Sequence, residues 1–332
     1  MQDIPAGTTA PADAPSPAKK NVLSLTEVQE HTGVYRSYTD LIGKLDLIFD
    51  KIATGNPVEI DTVDAIGAGV LKAIQEKRDS IIGYILGGEV EGHELAKSSV
   101  NSAILAALIA QELRFSRPRV LLIIIGALLH DVGMLRLPRE ILDKQGDLSG
   151  EEIRQVKTHP VHSYTIISRE LLYPGDTGSI GLQHHERWDG LGYPRRLSGA
   201  EIDIGARIIS VADAFEAMVS QKAYRDPLAG YQAMKNLLSD NGRRFDPEVL
   251  NAFVQTMGVY PIGSVILLNN GAWARVIEVQ KDAPLRPTVR VLVTESGTVN
   301  RSGEGALINL LSEKKLFILR AIEPGEIAQK NA

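Results

Sequence analysis

The sequence predicts a mainly helical protein that ends in a small β-rich extension, and three observations carry that prediction. Apolar residues recur at helical spacing through most of the first 257 positions. Two capping boxes mark helix starts inside that region, and beyond Tyr260 and Pro261 the texture turns strand-like. With 332 residues, 44% hydrophobic and 23% charged, the chain can bury a sizeable core.

The first twenty residues hold four of the sixteen prolines and finish with Lys19 and Lys20. Such a composition buries too little apolar surface to offset the entropy of ordering, so residues 1–20 are expected to form a disordered tail. From Ser37 to Ala53 the apolar residues Tyr38, Leu41, Ile42, Leu45, Ile48, Phe49 and Ile52 follow helical spacing, and a second pattern runs from Thr62 to Leu86. Residues 21–88 therefore read as an N-terminal helical module with a dimerisation or regulatory role.

Residues 89–257 read as consecutive helices, with Ser149 and Glu152, then Ser198 and Glu201, as capping boxes. Val120 to Leu129 is apolar throughout but does not alternate and runs directly into His130, which favours a buried helix; as a run it is too short to cross a bilayer. In residues 258–332, Val265 to Leu268, Ala274 to Val279 and Thr288 to Val293 are expected strands, and Asn270 with Gly271 is a hairpin signal.

Composition also restricts chemistry. The chain has no cysteine, which excludes disulfides, thiolate zinc sites and iron-sulfur clusters; any metal must be held by nitrogen and oxygen. A net charge of −5 offers no general attraction to polyanions, so a nucleic-acid polymer is not expected as a partner, although a small anion needs only local positive charge. No basic segment followed by an apolar one opens the chain, and a cytoplasmic location is expected.

Six of the seven histidines fall between His93 and His185, with carboxylates beside them. A buried imidazole without a partner costs about 1–3 kcal/mol, so this concentration points to a polynuclear metal centre. Glu89 and His93 are four apart and would share a helix face, a pattern that by itself usually marks a solvated surface. His130 and Asp131 are adjacent and differ in reach, so they can serve two ions with the carboxylate bridging; an anion at a helix C-terminus is otherwise unfavourable. His159 is preferred over His162 as a ligand because Pro160 fixes its backbone. His184 and His185 would point about 100° apart on a helix. Asp213 interrupts the apolar run Ile208, Ile209, Val211, Ala212, Ala214 and Phe215, and a carboxylate so placed calls for a cation.

Gly190, Gly192, Tyr193 and Pro194 make a Gly-rich loop after the histidine pair, able to approach a ligand closely. Lys222, Tyr224 and Arg225 follow Asp213, and an arginine there can clasp a phosphate bidentately.

The order His130, Asp131 and Gly133, then His159 and Pro160, then the eleven-residue run HHERWDGLGYP from His184 to Pro194, then Val211 to Asp213, resembles the HD-GYP family of HD-superfamily metal-dependent phosphodiesterases. The resemblance covers residues 89–257 and implies an HD-domain helical bundle. It implies two or three iron or manganese ions held by His93, His130, Asp131, His159, His184, His185 and Asp213, with Glu89 completing a trinuclear centre. It also implies cyclic di-GMP as substrate, hydrolysed to pGpG and further to GMP where a third ion is present. Catalysis would fall to His130 and Asp131. Substrate contacts would come from Lys222, Tyr224, Arg225, Gly192, Tyr193 and Pro194. Signalling proteins docking on the GYP loop and a homodimer are further implied partners.

This chemistry suits such a site. A phosphodiester anion repels hydroxide, and two ions about 3.5–4 Å apart both lower the pKa of a bound water and neutralise the oxygens that are attacked and released. Imidazole and carboxylate suit iron or manganese without choosing between them. The chain departs from the family in having Met134 where a lysine is common after HDxG, and Lys222 with Ala223 where arginine and proline are usual; Arg136 is the candidate to replace the missing charge. Two other readings remain: a metal-containing cyclic-dinucleotide receptor with little or no turnover, and a phosphodiesterase for another cyclic dinucleotide.

Overall fold

Two amphipathic helices open the described part of the chain. The computed structural model describes residues 32–87, 93–144, 146–220, 227–240, 243–300, 303–323 and 325–327. The tail expected at residues 1–20 lies outside them. Helix α1 (Thr32–Ala53) buries all seven apolar residues of its expected stripe. Helix α2 (Ile60–Gly87) matches the second pattern but bends at Lys77, whose φ of −154° and ψ of 63° leave the helical region.

Helices α3 (Glu94–Glu112) and α4 (Arg117–Leu129) follow and pack on each other. Ala103, Ala106, Ala107 and Ala110 of α3 are fully buried, and such small side chains let neighbouring helix axes approach closely. Val120 to Leu129 lies within α4, as the absence of alternation required. Counted with its flanks, Arg117–Arg136 is long and apolar enough to cross a membrane by length and composition, where the run Val120 to Leu129 alone is not. More than half of that stretch is buried inside the protein, as a core helix would be.

A 3-10 turn (Val132–Arg136), α5 (Arg139–Leu142), α6 (Gly150–Val156), α7 (His159–Thr165) and α8 (Gly175–Gln183) lead to α9 (Ile204–Val219), α10 (Gly230–Ser239) and α11 (Pro247–Met257). The Ser149 box caps α6: Ser149 N–H donates to Glu152 Oε2 at 2.6 Å and Glu152 N–H to Ser149 Oγ at 3.3 Å. The Ser198 box, with Ser198 N–H donating to Glu201 Oε2 at 3.0 Å, heads only the single turn Gly199–Glu201. The N-cap of α9 is Asp203, whose Oδ1 accepts from Gly205 N–H at 2.7 Å, so the expected helix start was five residues early.

One apolar cluster joins α1 and α2 to α3, α4, α8, α9, α10 and α11. The N-terminal helices are thus walls of the core that carries the histidines, and α1 packs on the 3-10 turn as well as on α3.

Strands β1 (Val265–Leu268), β2 (Trp273–Glu278), β3 (Thr288–Val293), β4 (Leu307–Asn309) and β5 (Ile318–Ala321) form one antiparallel sheet in the order β4-β3-β2-β1-β5. Asn270 and Gly271 turn β1 into β2, with Gly271 at φ +86° and its N–H donating to Leu268 O at 2.9 Å. The two outer strands were not expected: they are short, and Leu307 and Leu319 face solvent, so no apolar alternation announces them. The sheet has its own apolar clusters, and Lys281 ties it to the helices by a 2.9 Å ion pair with Glu112 of α3.

Candidate metal centre

Helix ends converge to build the site. His130 caps the C-terminus of α4, His159 opens α7, His184 caps the C-terminus of α8 and Asp213 lies within α9. The 3-10 turn and α8 both pack on α7, and α8 packs on α4 and α9. Gly133 allows the tightest approach: its N–H donates to Ser163 Oγ at 2.9 Å, and a Cβ there would stand 2.1 Å from His159 O.

Each of three rings is aimed by its own helix end. His130 Nδ1 lies 2.7 Å from Ala127 O, His159 Nδ1 2.7 Å from Val156 O, and His184 Nδ1 2.8 Å from Gly181 O. A carbonyl only accepts, so Nδ1 carries a proton in each, and Nε2 is the nitrogen turned inward for a metal. That is the tautomer a metal-binding histidine takes when a backbone carbonyl orients it.

The inward atoms suit cations. Asp131, His159, His184 and His185 offer ligand atoms all within 4.8 Å of one another, and so do His130, Asp131 and Asp213. Asp131 belongs to both groups. Its Oδ1 is 3.0 Å from His159 Nε2 and 3.3 Å from His184 Nε2, while His130 Nε2 is 3.5 Å from Asp131 Oδ2 and 3.6 Å from Asp213 Oδ1. His130 Nε2 and Asp131 Oδ1 are buried and accept or donate no hydrogen bond. The Nε2 atoms of His159 and His184 face each other at 3.3 Å with no proton to share. Lone pairs converging in this way repel unless a cation sits among them, so the residues present fit divalent metal binding.

The electrostatics agree. Burial acts to lower the pKa of His130, yet the Asp131 and Asp213 carboxylates outweigh it and raise the value to about 9. A field that favours a proton there favours a metal ion too. Burial, then the charge of neighbouring His130, lowers His184; burial and His184 hold His185 well below its ordinary value, so both rings are free donors at neutral pH. Burial alone would raise Asp131 and Asp213, but the adjacent imidazoles keep both ionised, Asp131 well below the usual carboxylate range.

The loop of the HHERWDGLGYP run folds over the site. A Cβ on Gly192 would meet Arg187 N at 2.4 Å, so only glycine lets the loop return upon its own start. Tyr193 N–H donates to His185 O at 3.2 Å, and the Tyr193 ring stacks on the His185 ring with centroids 4.8 Å apart; Pro194 follows through a cis peptide bond. Glu186, which sequence reasoning passed over, is buried and accepts from Arg195 N–H at 2.6 Å and Leu197 N–H at 3.1 Å. Its only signal was a carboxylate directly after two histidines. Ser163, the partner of Gly133, left no signal at all.

Glu186→Ala removes the charged acceptor of two part-buried backbone donors, each such hydrogen bond being worth about 1.5–3 kcal/mol. The expected result is a lower urea midpoint, with faster proteolysis confined to residues 186–197. Unchanged cleavage there would reject the anchoring role.

Other expected site residues lie elsewhere. His93 is the N-cap of α3, which begins at Glu94. Its side chain is 76% exposed, with Nδ1 2.5 Å from Asp46 Oδ2 of α1, outside both ligand groups. His162 sits on α7 and joins neither group. Glu89, Lys222, Tyr224 and Arg225 lie outside the described residues. Arg136 does not stand free to replace a lysine at Met134, since its guanidinium is paired with Glu170 at 2.8 Å.

Comparison with known proteins places this geometry. Residues 90–249 match the family model described as HD domain, and residues 265–330 match one described as KOW domain associated with HD domain. The chain is 30% identical over 239 residues to the Pseudomonas aeruginosa protein named cyclic di-GMP phosphodiesterase PA4108, covering 72% of this chain and 56% of that protein. It is 41% identical over 154 residues to a Thermotoga maritima cyclic di-GMP phosphodiesterase, covering 46% of this chain and 41% of the other. A Vibrio cholerae 3'3'-cGAMP-specific phosphodiesterase 2 is 35% identical over 128 residues, or 38% of this chain and 24% of that protein. The chain thus spans about half or less of the length of these curated relatives. Among solved structures, Bd1817, an HDG"Y"P protein from Bdellovibrio bacteriovorus, shares the fold with a TM-score of 0.53 at 18% identity, over 70% of this chain and 76% of its own. Residues 90–249 thus match an HD domain, and the chain is similar over that region to curated cyclic di-GMP phosphodiesterases and shares its fold with Bd1817.

Proposed function

We propose that the chain is a metal-dependent phosphodiesterase that opens cyclic di-GMP to linear pGpG, and carries it on to GMP when a third ion is bound. The observation that carries this reading is Asp131, a carboxylate shared by two ligand groups beside the inward Nε2 atoms of His130, His159 and His184. The activity named for the Pseudomonas and Thermotoga relatives supports the choice of substrate.

Divalent ions, iron or manganese by donor type, would supply an activated water at neutral pH and neutralise charge as the phosphorus is attacked. His159, His184, His185 and Asp131 would hold one ion, and His130, Asp131 and Asp213 another. The protein's own part is to keep three imidazoles in one tautomer through backbone carbonyls and two carboxylates ionised. Tyr193, stacked on His185, would form one wall of the approach. Lys222, Tyr224 and Arg225 would grip the substrate's phosphate and base, and Glu89 with His93 would complete a third ion site.

This reading carries a cytoplasmic setting, which the absence of cysteine permits. The domain plan that goes with it has residues 21–88 as a regulatory or dimerising wall, residues 89–257 as the catalytic unit and residues 258–332 as an appended sheet. Leu191, 74% exposed on the GYP loop, supports a docking role for that loop toward signalling proteins.

The test is turnover of cyclic di-GMP by protein reconstituted with iron(II) or manganese(II) under reducing conditions, with His130→Ala/Asp131→Ala as control. Turnover in the wild type alone is expected; none from metal-replete wild type rejects the proposal. A second reading, hydrolysis of a mixed cyclic dinucleotide, is favoured by the Vibrio relatives named as 3'3'-cGAMP-specific, and a substrate panel separates the two.

A further inference from the structure

We infer that Lys157 is a substrate-binding residue whose ammonium takes the phosphate oxygens that face away from the metal centre. The inference rests on the phosphodiesterase reading above. Lys157 is the C-cap residue of α6 and stands two positions before His159. Its Nζ lies 5.3 Å from the centroid of the Tyr193 ring, and that ring stacks on His185 at 4.8 Å. The ammonium therefore stands at the one aromatic ring that stacks on a metal-site imidazole.

The charge of Lys157 is uncommitted. Several basic side chains around it are engaged with carboxylates: Lys144 with Glu152 at 2.6 Å, Arg136 with Glu170 at 2.8 Å, Arg187 with Asp189 at 2.7 Å and Arg207 with Asp246 at 2.7 Å. No carboxylate among the described residues pairs with Lys157, which is exposed and held only by the face of Tyr193. An ammonium on a flexible four-carbon stem, resting on an aromatic face, can leave it for a stronger anion at little cost. A phosphodiester taken at the ligand groups still presents oxygens turned away from them, and those call for positive charge beyond the centre. Lys157, over the Tyr193 ring beside His185, is a cation placed to supply it.

The role is binding, and the test separates binding from architecture. Steady-state hydrolysis of cyclic di-GMP by manganese-loaded protein is measured for wild type, Lys157→Met and Lys157→Arg at two salt concentrations, with metal content per chain determined for each. Losing one charge-assisted contact is expected to raise KM about tenfold in Lys157→Met while kcat changes less than about threefold. KM of the wild type should climb more steeply with salt than that of Lys157→Met, Lys157→Arg should stay close to wild type, and metal content should be equal in all three. An unchanged KM in Lys157→Met with active wild type overturns this inference and leaves the phosphodiesterase reading standing. A raised KM that Lys157→Arg does not restore, or that accompanies lost metal, also overturns it, because that is a structural defect. Wild type without turnover overturns both.

Discussion

Asp131→Ala is expected to strip the centre of metal and lower turnover by about a thousandfold or more, since several kcal/mol of transition-state stabilisation is at stake and each 1.4 kcal/mol is tenfold. The size follows from position. Asp131 is the one side chain common to both ligand groups, with Oδ1 toward His159 and His184 and Oδ2 toward His130. Removing it takes a ligand from each group and leaves the group of His159, His184 and His185 with no carboxylate to offset a dication. Asp213→Ala removes a ligand from one group only and is expected to lose about one ion while retaining the other. Metal content per chain, measured with turnover on the same preparations, checks both. An Asp131→Ala protein that keeps its full metal complement would falsify the shared-ligand assignment. Far-UV circular dichroism should match wild type, because Asp131 contributes nothing to the apolar cluster.

Gly133→Ala should unfold at clearly lower urea, by about 3 kcal/mol or more, because overpacking of this severity exceeds the ordinary range of 1–3. The new Cβ would sit 2.1 Å from His159 O and 2.5 Å from Ser163 N. Both are backbone atoms, so no rotamer change relieves the overlap, and the 3-10 turn must part from α7. That movement separates Asp131 from His159, so metal retention should fall along with stability. Gly175→Ala is the control: it opens α8 with nothing within 4 Å of its added Cβ and should be neutral or slightly stabilising. Equal urea midpoints for Gly133→Ala and wild type would reject the close-packing account.

How much was legible in the sequence depended on whether the signal was local. The stripe from Tyr38 to Ile52 was readable because a 3.6-residue period is written into neighbouring positions, and all seven residues are buried. Strands β1 and β3 announced themselves by β-branched runs, and Asn270 with Gly271 by the backbone angle that the turn demands. Strands β4 and β5 did not, since as short outer strands they bury little and owe their pairing to β3 and β1. The Ser198 box was a true local hydrogen-bond pattern that named a turn, while α9 took its cap from Asp203.

The sequence by itself determined the helical periodicity, the restriction to nitrogen and oxygen ligands, and a set of histidines and carboxylates too concentrated to be left unpartnered. Only the tertiary structure decided which of them meet: His130, Asp131, His159, His184, His185 and Asp213 come together, while His93 turns to Asp46 and Arg136 to Glu170. The tertiary structure also brought in Glu186 and Ser163, and set the imidazole tautomers through carbonyls at helix ends. The reason is physical. Period and capping arise between residues a few positions apart, whereas convergence of ligands depends on how close two helices can come, and at this centre a glycine on one turn and a carbonyl on the next helix set that distance.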